Sequence, residues 1–258
     1  MKKMFYLTKY NFKIFITHKI DFFLNVLNIF INQIVTLTFI YITIKNLPSL
    51  NGWKINELVL IYGLYLINKG SADFFSAGIY NLEEYIQEGF LDSLMIRPCP
   101  ILLQIFSTQF DFFQLINIFL GWGLISYYFL LDIKKFNIYA VLIILLYQFI
   151  SVLCIFFLKV MTMSIAFWTQ TGYPVTSSID NLSAFAKYPL DIYNTFISSF
   201  LTFIFPYAFI SFYPAILILN KSNNKKILLL TMMITVSVII ISSIVWKVGL
   251  KRYESSGH

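Results

Sequence analysis

Apolar runs long enough to cross a bilayer recur along this chain, and only short polar stretches separate them. That recurrence dictates the fold class. Backbone inside hydrocarbon must satisfy its own N–H and C=O groups, so a chain built of such runs folds as membrane helices. Charged residues make up 12% of the 258 positions, against about 25% in an ordinary soluble domain. The expected architecture is an all-α polytopic membrane protein, one transmembrane domain over residues 1–258 with no nucleotide-binding domain.

Six spans are expected, at 20–44, 57–79, 102–131, 138–158, 190–213 and 227–250. The second is the weakest, because Asn68, Lys69 and Asp73 interrupt it. The N-terminal stretch carries Lys2, Lys3, Lys9, Lys13 and Lys19, and the C-terminal end carries Lys247, Lys251 and Arg252. Basic residues favour the cytoplasmic side, so both ends are expected there. The opposite loops hold Lys45, Lys54, Lys134, Lys135, Lys221, Lys225 and Lys226, a modest asymmetry. Residues 2–19 read as an interfacial helix or as a plain basic flank. The opening lacks a small-residue cleavage site, so the first span is expected to act as its own insertion signal. The net charge of +7 gathers at membrane edges, which suits lipid headgroups and not nucleic acid. Cys99 and Cys154 fall in different environments, so no disulfide is expected.

Residues 81–100, NLEEYIQEGFLDSLMIRPCP, interrupt the oily pattern with Glu83, Glu84, Glu88 and Asp92. Leu82, Tyr85, Ile86, Phe90 and Leu94 follow a helical spacing, and the acidic residues fall on the other side. Pro98 ends the helix, since the residue before a proline is pushed out of the helical region. An acidic helix between two spans suits a soluble partner better than anionic lipid, though it also reads as a solvated loop helix.

Glu88, Gly89, Leu91, Asp92, Leu94, Arg97, Pro98 and Pro100 form a motif that resembles the permease subunits of type-2 ABC exporters, in their six-span uncharacterised-permease branch. Phe167-Trp168, Ala186-Lys187-Tyr188-Pro189-Leu190 with Ile192-Tyr193, Phe205-Pro206-Tyr207-Ala208-Phe209, Tyr213-Pro214-Ala215 and the ending Lys251–Gly257 resemble the same family. The resemblance implies that 81–97 is a coupling helix docking into a separate cytoplasmic ATPase dimer, through Glu83, Glu84, Glu88, Gly89, Asp92 and Arg97. It implies a second permease chain, identical or related, and ATP with Mg on the ATPase. It implies a bacterial plasma-membrane location.

The chain contains no Gly-Lys dipeptide and so no P-loop of the G-x-x-x-x-G-K-[ST] kind. No catalytic residues, metal site or cofactor are expected on it: His18 and His258 stand far apart, and no G-x-S-x-G elbow occurs.

Polar groups inside spans are costly and therefore informative. Asn25, Asn28, Asn32 and Thr36, below Asp21, recur on one face of the first span. They read as a subunit contact or conduit, or as ordinary helix–helix hydrogen bonding. Lys69 and Asp73 stand one turn apart and read as a structural ion pair or part of a proton relay. Asp111 is expected to lie within reach of Lys159. Pro206 and Pro214 break the fifth span, into a kinked crossing or, as the resemblance implies, a re-entrant outer hairpin forming an outer gate.

Two other functions remain open. One is an ATPase-independent secondary transporter that uses Lys69 and Asp73, although no internal repeat is visible. The other is a membrane scaffold or immunity protein that binds a partner without transport. The residues do not name the cargo; a drug, peptide or lipid-like molecule fits the aromatic content.

Overall fold

The computed structural model describes residues 19–46, 52–131, 137–221 and 224–254. The expected interfacial helix at 2–19, the lysines at 134–135 and the ending 255–257 lie outside the described residues, apart from Lys19. The described chain is helical throughout: α1 (Lys19–Asn46), α2 (Ile55–Ser76), α3 (Leu82–Gln87), α4 (Phe90–Met95), α5 (Ile101–Thr108), α6 (Gln114–Leu131), α7 (Ile138–Met163), α8 (Ala166–Thr169), α9 (Tyr173–Asn181), α10 (Thr195–Ser199), α11 (Phe212–Ile218) and α12 (Asn224–Arg252). Short 3-10 segments cover Ala77–Asn81, Leu182–Lys187, Leu190–Ile192 and Tyr207–Phe209, and a π turn covers Phe200–Ile204.

Four helices among these residues are long and apolar enough to cross a membrane: Lys19–Ile42, Gln114–Leu131, Ile138–Thr169 and Lys225–Arg252. The chain is thus a multi-pass membrane protein. Helix α2 fails that test because it carries Glu57, Lys69 and Asp73, yet it is the centre of the bundle. Leu58, Leu60, Ile61, Leu64 and Ile67 on its different faces are all buried. It packs on α6 and α7, and α12 packs on α7. The α2–α6 crossing is set by two glycines. A Cβ on Gly121 would lie 2.8 Å from the Gly63 carbonyl oxygen, so only glycine allows this approach.

Two expected spans are placed differently. The third, 102–131, is broken between Thr108 and Gln114, where Asp111 accepts from the Phe113 amide at 3.1 Å and from the Gln114 amide side chain at 2.9 Å. The fifth, expected at 190–213, is not one continuous helix. Trp53, just before α2, donates to Asp191 at 2.9 Å, and Lys221 stacks on the same Trp53 ring at 3.7 Å. The segment between them leaves Trp53 and returns to it. Its two apolar arms, Thr195–Ile204 and Tyr207–Ile218, meet at 86°. Its inner turn reaches Ser151, which donates to the Phe209 carbonyl at 3.1 Å, and Asn68, which donates to the Ile210 carbonyl at 2.5 Å. Pro206 sits at the break. Pro214 lies in the first turn of α11, where a missing N–H costs little.

The stretch that runs the length of α2 is 173–192. Tyr173 lies beside Glu83, Asp180 beside Lys69, Lys187 over the Tyr65 ring at 5.6 Å, and Asp191 beside Trp53. It is antiparallel to α2 and mixes α and 3-10 turns with polar side chains, which is why hydropathy passes over it.

Candidate functional site

The polar stretch 81–100 forms two short helices, not one. Gly89 divides α3 from α4 with φ 70°, a left-handed conformation that glycine adopts without a Cβ penalty. The apolar face is built from Leu82, Ile86, Leu91 and Leu94, all buried against Val160, Met163, Phe167 and Trp246 at the ends of α7, α8 and α12. Phe90, expected on that face, is exposed and Leu91 takes its place, because the turn at Gly89 resets the helical phase. Glu84, Gln87, Glu88 and Arg97 are exposed. Asp92 lies against Tyr253 beyond the end of α12. Burial, and secondly the Asp92 carboxylate, hold that phenol above its ordinary pKa.

Glu83 faces inward. One carboxylate oxygen accepts from the Gly172 amide at 2.8 Å and the Tyr173 amide at 2.7 Å. It therefore caps the N-terminus of α9, where free amides and the helix dipole favour a negative charge.

Above this segment lies a buried cluster of four charges. Asp73 accepts from Lys69 at 2.5 Å and from Lys159 at 2.7 Å. Asp180 accepts from Lys69 at 3.0 Å and lies 3.5 Å from Lys159. The four side chains are 4% to 19% exposed. Two positive and two negative groups cancel, which is the condition for burying such charges at all. Tyr80 completes the group: its hydroxyl donates to Asp180 at 3.4 Å and its ring lies 4.9 Å from the Lys159 ammonium. The expected Asp111–Lys159 contact is not made. Lys159 is turned to Asp73 and Asp180, while Asp111 closes the turn before α6.

The cluster stands between two polar cavities. One, of about 720 Å³, is lined by Tyr80, Gln109, Asp111, Tyr173 and Ser177; the other, of about 350 Å³, by Asn32, Thr36, Tyr62, Asn117 and Lys187. Asp73 and Asp180 line both. Of the polar face of α1, Asn32 and Thr36 thus reach a cavity. Asn25 and Asn28 are exposed and bond within the helix, Asn25 to the Asp21 carbonyl at 2.8 Å and Asn28 to the Asn32 amide at 2.8 Å. Gln33 is a polar link from α1 to the bundle: it donates to Asn117 at 2.9 Å and accepts from Tyr62.

Sequence reading passed over Gln33, Tyr80 and Asp180. Asp180 sat between the fourth and fifth expected spans, although Pro174 in the first turn of a helix was a usable start signal. Among the described residues, no three His, Cys, Asp or Glu side chains are grouped as for a metal ion.

A family model for ABC-2 family transporter proteins matches residues 30–257. The chain belongs to the ABC-2 transporter family. It is an ABC-2 type permease, a transmembrane protein of transport. No curated protein and no solved structure matches it.

Proposed function

We propose that this permease is the membrane subunit of an ATP-driven exporter of hydrophobic or amphipathic molecules, working with a separate cytoplasmic ATPase dimer that binds ATP and Mg. One observation carries the reading: an amphipathic segment seated by its apolar side on the ends of α7, α8 and α12 presents Glu84 and Glu88 outward. A rim of fixed negative charge favours a basic cleft on a partner and sets its orientation.

In this reading the chain crosses a bacterial plasma membrane six times, through α1, α2, α5 with α6, α7, 173–192 and α12. Both ends face the cytoplasm, and the 195–218 hairpin enters from the outer side as a gate. The broad apolar surface of α1, with Ile34, Val35 and Phe39 more than half exposed, faces lipid or a second permease chain. The polar cavity beside Asn32 and Thr36 forms part of the conduit.

The test is a mild-detergent pull-down of the chain from native membranes with identification of its partners. An ABC ATPase is expected, and its recovery is expected to fall when Glu84 and Glu88 are replaced by lysine. A well-folded sample that never yields an ATPase overturns the reading. The buried Lys69–Asp73 pair gives a second reading, an ATPase-independent transporter, in which Lys69→Met stops flux in a purified chain that needs no partner.

A further inference from the structure

The two ends of α9 are held by different machinery. At its N-terminus Glu83, from the segment that presents Glu84 and Glu88, caps the Gly172 and Tyr173 amides. At its C-terminus Asp180 joins Lys69 of α2 and Lys159 of α7. Between these points Ser177 lines the larger cavity, and Asn181, the last residue of α9, lines both. The helix is also set apart from its neighbours in the chain. Gln170, three residues before its first residue, has φ 60°, and at Leu182 the chain passes from α to 3-10 geometry. Such mid-segment changes of helix type mark places where a chain bends.

We infer that α9 is the element that carries motion from the 82–95 segment to the buried charge cluster, with Glu83 and Asp180 as its positioning residues. This deepens the permease reading and rests on it. A displacement of the 82–95 segment pulls on the α9 amides through Glu83. Because Asp180 shares Lys69 and Lys159 with Asp73, a shift of α9 along its axis cannot occur without re-pairing the four charges. The two cavities share Asp73 and Asp180 as a common wall, so re-pairing changes the opening between them. Substitution at either end of α9 therefore uncouples hydrolysis from rearrangement without removing the ATPase.

The experiment uses the intact permease–ATPase complex in lipid nanodiscs. Cys99 is exposed and Cys154 buried, so Cys99→Ser removes the reactive background and Ser177→Cys places a reporter in the larger cavity. Labelling with a water-soluble maleimide is compared without nucleotide and with ATP plus vanadate. The parent rate is expected to change about fivefold or more, the lower range of ordinary coupling between sites. Glu83→Gln and Asp180→Asn are each expected to abolish that difference while ATP hydrolysis persists, and Asp180→Glu to restore it. Variants are scored only when they elute as the intact complex, and Asp180→Glu serves as the folding control for its position. A labelling difference that survives both substitutions overturns the inference. So does a parent rate indifferent to nucleotide while hydrolysis proceeds. Absence of an ATPase from the complex is seen before any labelling and removes the permease reading itself.

Discussion

The Lys69 ammonium lies 3.0 Å from the Asp180 carboxylate, across 111 residues of sequence, and the same lysine holds Asp73 one turn away on its own helix. This bond ties the two charge-bearing strips of the bundle, α2 and 173–192, to each other. Each alone is a poor membrane segment. Paired, they turn Lys69, Asp73 and Asp180 inward, and α2 is covered further by α6, α7 and the 195–218 hairpin.

Removing one member of the cluster leaves a buried charge without compensation. Lys159→Met is expected to destabilise the chain by about 3–5 kcal/mol, read from unfolding in mixed detergent followed by tryptophan fluorescence. Adding Asp180→Leu restores neutrality, with Lys69 and Asp73 as the remaining pair, and is expected to recover most of that loss. Equal instability of single and double variants would count against a charge-balance account.

The α2–α6 crossing gives a sharper contrast. Gly121→Ala places a methyl 2.8 Å from the Gly63 carbonyl oxygen, which a backbone cannot easily yield, and about 1–3 kcal/mol of destabilisation is expected from the overpacking. Gly123→Ala, two residues on, meets nothing within 4 Å. It is expected to be neutral or to stabilise by about 0.5–1 kcal/mol through helix propensity. Melting temperatures of the two variants in one detergent decide the matter.

Asn68→Leu tests the seat of the hairpin. Asn68 is fully buried and its amide donates to the Ile210 carbonyl. Leucine leaves that carbonyl without its partner, at an expected cost of about 1–3 kcal/mol. The loosening should be local, so hydrogen exchange should rise at the inner turn, 205–211, more than in α12. A uniform rise would place Asn68 in the general core instead.

The acidic residues of the 82–95 segment are expected to separate by role. Glu83→Gln keeps a hydrogen-bond acceptor but removes the charge at the α9 N-terminus, costing about 0.5–1 kcal/mol and lowering thermal stability with partner capture retained. Glu84→Lys with Glu88→Lys should leave stability unchanged, since both are exposed, and should reduce ATPase capture. Parallel melting curves and pull-downs distinguish the two effects.

At the opposite end, Lys221 pairs with Glu57 at 2.7 Å and covers the Trp53 ring. Lys221→Met is expected to cost about 0.5–1 kcal/mol from the cation–π contact and more through Glu57, a buried carboxylate left without its ammonium partner, with the 195–218 hairpin more open to protease. Unchanged proteolysis between 195 and 221 would detach that contact from hairpin closure.

The sequence by itself determined the class and most of the long helices. Long apolar runs have one low-energy form in hydrocarbon, so α1, α6, α7 and α12 were legible from composition and length alone. The amphipathic stretch with its apolar and acidic sides was legible too, because helical periodicity is local, although the turn at Gly89 exchanged Phe90 for Leu91 on the buried face. The family was carried by short motifs whose order survives without any knowledge of contacts.

Only the tertiary structure decided which polar residues meet. Asp180 stood between two expected spans without a role, because a strip of Tyr, Ser, Asp and Asn looks soluble when nothing shows that α2 shields it. Lys159 takes Asp73 and Asp180, not Asp111, because pairing depends on which helices are neighbours, and no periodicity encodes that. The 190–213 run is apolar, yet its helix breaks at Pro206 and its two arms meet at 86°, while Trp53 holds both Asp191 and Lys221 at one end of the bundle. Hydropathy measures what a segment tolerates around it. Burial of charge is settled by the partner across the bundle, and that partner can stand a hundred residues away.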